Sequence, residues 1–139
     1  MTMQSRQPGD SVYPLSVTPF QGMAHHEMSQ WFERFVPAGF PVEMAVHSVS
    51  VPEGIVPEMY VTPHVHADHD EINIVLSKSA LSYSIVMDGR EQKVEAPAAV
   101  WVPAGCSHSA NAVSGDGFFI CVKTEKRAGA GQHPGKTNP

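Results

Sequence analysis

Cysteine is scarce in this chain: Cys106 and Cys121 are too few to staple a domain of 139 residues, and no disulfide is expected. No run of roughly eighteen apolar residues marks a membrane span. The first ten residues lack a basic start and an apolar core, so a cytoplasmic location is the expectation. Positive charge is in deficit, with nine Lys and Arg against fourteen Asp and Glu and a net charge of -5. That excludes a general attraction to phosphate backbones, and neither nucleic acid nor membrane is an expected partner. Charged residues are 17% and hydrophobic residues 42%, which excludes a charged disordered tail as the bulk of the molecule and leaves one water-soluble core. What the chain has in quantity is histidine, eight in all, enough to ask whether several share a metal.

Residues 1–22 show no period and hold Pro8, Pro14 and Pro19, so they read as an irregular arm over the domain. From Ala24 to Val36 the side chains Met28, Trp31, Phe32, Phe35 and Val36 fall at helical spacing before Pro37 and Gly39, which predicts one short helix. His25 and His26 would then point to different sides of it and take no role. After Phe40 the texture changes to short Val, Ile, Tyr and Phe runs broken by Pro, Gly or Asp, as in an antiparallel sheet protein. Strands are expected at Val42–Val51, Met59–His66, Glu71–Leu76, Leu81–Met87, Gln92–Glu95, Val100–Val102, His108–Ala112 and Phe118–Lys123, with a hairpin turn at Asp88-Gly89. The expected fold is all-β, an antiparallel sandwich or barrel over 23–125, followed by a disordered tail over 126–139 that carries His133 with it.

The chemistry concentrates in Thr62-Pro63-His64-Val65-His66-Ala67-Asp68-His69-Asp70-Glu71-Ile72-Asn73. Side chains two apart on a strand share a face, so His64 and His66 converge while Val65 points away. The Asp-rich stretch turns the chain, and Glu71 opens the returning strand near the imidazoles. Further on, Pro103-Ala104-Gly105-Cys106-Ser107-His108 sets a tight turn before His108, the natural fourth ligand. Asp70 is the rival carboxylate, and His69 belongs to the loop.

These two segments resemble the paired motifs of the cupin superfamily, H-x-H…E…G and G…P-x-G-x-x-H…N. His64, His66 and Glu71 fill the first motif, with Lys78 where its glycine would stand. Pro103, Gly105 and His108 fill the second, with Pro97 at the leading glycine and Asn111 near the trailing Asn. The spacing to Lys78 favours Glu71 over Asp70. The resemblance implies an antiparallel jelly-roll β-barrel over roughly residues 40 to 123 and a homodimer built with the long N-terminal arm. It also implies one divalent transition metal per chain on His64, His66, Glu71 and His108.

Three imidazoles and one carboxylate suit Fe(II), Mn, Co, Ni, Cu or Zn rather than Mg or Ca. Four protein ligands leave two positions of an octahedral ion for a bidentate substrate, or for substrate and dioxygen. The leading expectation is a mononuclear iron dioxygenase acting on a small organic molecule, by resemblance to small bacterial cupin dioxygenases. The alternatives are a Lewis-acid isomerase, lyase or decarboxylase, with Tyr60 or His69 as the base, and a binding barrel without turnover. Alternation along the strands also aims Tyr60 and Asn73 inward. Each either lines the substrate pocket or serves the structure, Asn73 by orienting a ligand and Tyr60 by packing. Cys106 reads as a small buried hydrophobe and His47 as core packing.

Overall fold

A computed structural model describes residues 11–126, and the expected disordered tail falls almost wholly outside them. Eight strands make up the regular structure: β1 (Leu15–Val17), β2 (Phe32–Pro37), β3 (Met44–Val51), β4 (His69–Leu76), β5 (Leu81–Met87), β6 (Arg90–Glu95), β7 (Ala98–Val102) and β8 (His108–Glu125). All pairings are antiparallel. The sheet runs β1-β2-β3-β8-β4-β7, and the β5-β6 hairpin joins it through β8. The Asp88-Gly89 hairpin turn stands as the sequence indicated, with positive φ at both residues.

The expected helix over residues 24–36 is absent, and no α-helix occurs among the described residues. Its second half is β2, whose Phe32–Phe35 register with Val49–Val46 of β3. Phe32 is buried and Glu33 exposed, so β-prone aromatics pairing with a Val-rich strand outweigh a weak helical period. The arm before it is also partly regular, since β1 pairs with β2.

Two expected strands fuse into one. β8 runs for 18 residues and changes partners near Gly115: it pairs with β5 up to that point, then with β3 and β4 on its two sides. Gly115 has φ 95°, and a Cβ there would run into the Ala80 carbonyl, so only glycine lets β5 approach so closely. The predicted strand at Met59–His66 reduces to isolated bridges at Val61 and His64. Pro63 has no N–H to offer a ladder, and the segment is tied instead by Thr62 N–H to the His25 carbonyl and by Asn111.

The core packs Phe20, Phe32, Val49, Val51, Tyr60, Val75, Tyr83, Ile85 and Phe119, with the Tyr83 and Phe119 rings stacked at 4.5 Å. Strand alternation puts Glu71, Asn73 and Val75 of β4 inward beside Lys123, Cys121 and Phe119 of β8.

Candidate metal centre

His64 and His108 are joined through their backbones: each N–H donates to the other's carbonyl, at 3.0 and 2.9 Å, and their rings lie 4.5 Å apart. Gly105, with φ 87°, donates its N–H to the His66 carbonyl at 2.8 Å, which fastens the turn before His108 to the His-x-His segment. The two sequence motifs thus meet through main-chain bonds.

Side-chain orientation follows from local carbonyls. Nδ1 of His64 lies 2.8 Å from the Thr62 carbonyl, and Nδ1 of His108 lies 3.0 Å from the Cys106 carbonyl. A carbonyl only accepts, so each Nδ1 carries a proton, and in the neutral ring Nε2 is left to present its lone pair. Glu71 is held by its other oxygen: Asn73 Nδ2 donates to Oε2 at 2.9 Å, leaving Oε1 at 3.6 Å from His66 Nε2 and 3.5 Å from His108 Nε2.

Those two separations are long for charge-assisted hydrogen bonds, and His108 Nε2 is buried with no hydrogen-bond partner. Ligands about 2.1 Å from one ion sit roughly 3–4 Å apart, which is the spacing found. The donor atoms of His64, His66 and His108 all lie within 4.8 Å of one another. The three imidazoles thus form one compact set of donors that could hold a transition-metal ion, with Glu71 Oε1 beside two of them.

Burial sets the protonation states. It pulls His66 down to about 4, with Lys123 adding to the effect, and it also lowers His64. For His108 burial pulls down, but the Glu71 carboxylate and the Cys106 carbonyl outweigh it and leave the pKa above the ordinary value. Burial pushes Glu71 up, yet His108 and Asn73 together hold it at about 2. At neutral pH the cluster thus offers a carboxylate and two imidazoles, His64 and His66, kept neutral by burial, as ligation requires.

Other sequence-indicated residues fall differently. Tyr60 lies in the core, 5% exposed, its hydroxyl accepting the Ala112 N–H at 2.9 Å, and it is not in the wall of the metal cavity. The irregular 59–66 segment breaks the strand phase that would have aimed it inward. Asn73 is buried completely and positions Glu71 rather than a histidine. Asp70 faces away and accepts the Ala104 N–H at 2.8 Å. His69 opens β4, not a loop; its ring stacks on His66 at 4.5 Å, its Nε2 is buried without a partner, and with His66 and Glu71 it forms a second group of close donors. Lys78 and Pro97 sit in the β4-β5 and β6-β7 turns, clear of the ligands. Cys106 is buried, and neither cysteine is part of a disulfide among the described residues.

The cavity at these residues is partly open to solvent and narrow, about 80 Å³, with room for a small ligand only. Its wall includes Phe20, Met23, His26, Arg34, His47, Val61, Phe119, Cys121 and Lys123. Sequence reasoning missed His26, which packs 4.7 Å from the His64 ring, because the helix expected there would have turned it outward. It also missed Arg34 for the same reason, and Cys121, whose only signal was its phase with Phe119.

No family model matches the chain, and no curated protein matches it either. Solved structures do. KdgF from a Halomonas species superposes with a TM-score of 0.52 at 21% identity, covering 73% of this chain and 87% of that one. A RmlC-like cupin from Shewanella frigidimarina gives 0.51 at 16% identity, covering 83% and 96%. A predicted oxalate decarboxylase from Thermotoga maritima gives 0.54 at 15% identity, covering 88% and 99%. The protein has the cupin fold. Its own version of that fold carries three histidines and a glutamate, with Asn73 behind the glutamate.

Proposed function

We propose that this protein is a divalent-metal-dependent enzyme acting on a small organic molecule, with His64, His66, Glu71 and His108 as ligands and iron(II) dioxygenation as its reaction. The observation that carries the metal reading is the clustering of three imidazoles, with the buried Nε2 of His108 3.5 Å from Glu71 Oε1, at a cavity open to solvent. An ion held by these residues would supply a Lewis-acidic and redox-capable centre.

The chain's own residues do the rest. The carbonyls of Thr62 and Cys106 keep two imidazoles in the ligating tautomer, and Asn73 keeps Glu71 turned toward them. Phe20, Met23, Val61 and Phe119 shed water from the substrate's flank. Burial of the Tyr60 hydroxyl in the core removes one candidate base, which favours chemistry that needs none over isomerisation.

His26 supports a second reading, Lewis-acid isomerase, lyase or decarboxylase chemistry. Burial lowers its pKa, so at pH 7 it is a neutral imidazole on the cavity wall, able to take a proton.

Oxygen uptake by iron-loaded protein against enediols, β-diketones, catechols and flavonols tests the first reading. Uptake with any of them supports it; turnover that persists under strict anaerobiosis transfers the weight to the second, and His26→Ala should then abolish it.

A further inference from the structure

Arg34 is a cation of this cavity wall that touches no carboxylate among the described residues. It sits on the inward face of β2, in register with His47 of β3, and β3 and β8 separate it from the Glu71 strand. Its Nη1 donates to the Thr18 carbonyl at 2.9 Å, its guanidinium lies 5.0 Å over the Phe20 ring, and its Nε is buried with no hydrogen-bond partner. Among the described residues it makes no ion pair, whereas Lys123, the other cation of the wall, is held by Glu43 at 2.8 Å.

Charge balance gives this arrangement a direction. Without metal, the two cations of the wall match Glu43 and Glu71. A bound divalent ion adds two positive charges that no side chain of the cavity offsets, in a partly apolar space where an uncompensated charge is costly. A guanidinium on a cavity wall binds a carboxylate more strongly than any neutral group does.

We propose that Arg34 is the specificity-determining residue of this cavity, and that the substrate is a small organic acid presenting oxygen donors to the ion and a separate carboxylate to Arg34. The proposal rests on the metal reading above. Lys123 has a secondary part, since its ammonium is already neutralised, and the aromatic and aliphatic wall accepts the acid's carbon stem.

The test uses cobalt-loaded protein and two hydroxamates with the same metal-binding head, butyrohydroxamic acid and succinic monohydroxamic acid, which differ by a terminal carboxylate. Binding is read from the visible cobalt spectrum and by calorimetry. The carboxylate-bearing compound should bind at least tenfold tighter to the wild type, Arg34→Gln should erase the difference while leaving butyrohydroxamate affinity and cobalt stoichiometry unchanged, and Arg34→Lys should restore part of it. Equal affinities in the wild type, or a preference that survives Arg34→Gln, overturn the proposal while the metal site stands. Failure of the wild type to take up cobalt overturns the metal reading and the proposal with it. The wild-type comparison decides even if Arg34→Gln does not fold.

Discussion

Asn73 shows how much of the site lies behind its ligands. It has no exposure and one bond that matters, the 2.9 Å donation to Glu71 Oε2. Asn73→Leu keeps the volume but leaves Glu71 free to rotate, so cobalt or zinc affinity should fall roughly 10- to 100-fold, read by competition with a chromophoric chelator. An unchanged affinity would mean that the carboxylate needs no support. Replacing His64 and His108 together by Ala should take bound metal, measured by elemental analysis of protein purified without chelator, from near one ion per chain to background. Both ligands were visible as residues in the sequence. The partner of Glu71 was not, because Asn73 had two readings that only the hydrogen bond separates.

At the scale of elements, His47 on β3 is packed between Phe20, Phe32 and Phe119, and burial depresses its pKa to about 3. Its ordinary value is 6.5, so above that pH it is neutral in both folded and unfolded chains and contributes no pH dependence. As pH falls from 6.5 toward 3 the unfolded chain gains a proton that the folded one refuses, and stability drops by a few kcal/mol. His66, depressed to about 4, adds to the same slope. His47→Phe should flatten the loss of urea-unfolding stability of metal-free protein between pH 7 and 5; an undiminished slope would show that His47 is not the main source.

The turn in β8 gives a second prediction. Gly115→Ala meets both a positive φ and the Ala80 carbonyl, so it should cost on the order of 2 kcal/mol or more and lower Tm by several degrees, measured by thermal unfolding. A Tm within a degree of wild type would mean that β5 can shift away freely.

At the scale of the molecule, one register row on the outward face of the sheet is apolar from edge to edge. The row Val17, Phe35, Val46, Ile120, Ile74 and Ala99 crosses six strands in register, with Ile72 beside Trp101 and Leu76 beside Phe118 next to it. Val17 is 56% exposed and Phe118 50%. A homodimer, which the resemblance implies, would bury apolar area on this face, and a standard interface takes about 800 Å² from each partner. Sedimentation should show a dimer that Ile74→Lys with Trp101→Glu converts to monomer; a monomeric wild type would leave the homodimer without support.

The sequence by itself determined the all-β class, most strand positions after residue 42 and the four residues, His64, His66, Glu71 and His108, that come together at the site. Period-two alternation and the H-x-H spacing are local properties that survive without knowledge of the fold. The tertiary structure decided the rest. A helical period in residues 24–36 yielded to pairing with β3, because a strand there buries Phe32 and the sheet satisfies its backbone. That reversal put His26 and Arg34 into the cavity and left Tyr60 in the core. Which side chains meet across four strands depends on register, and register is set by partners distant along the chain.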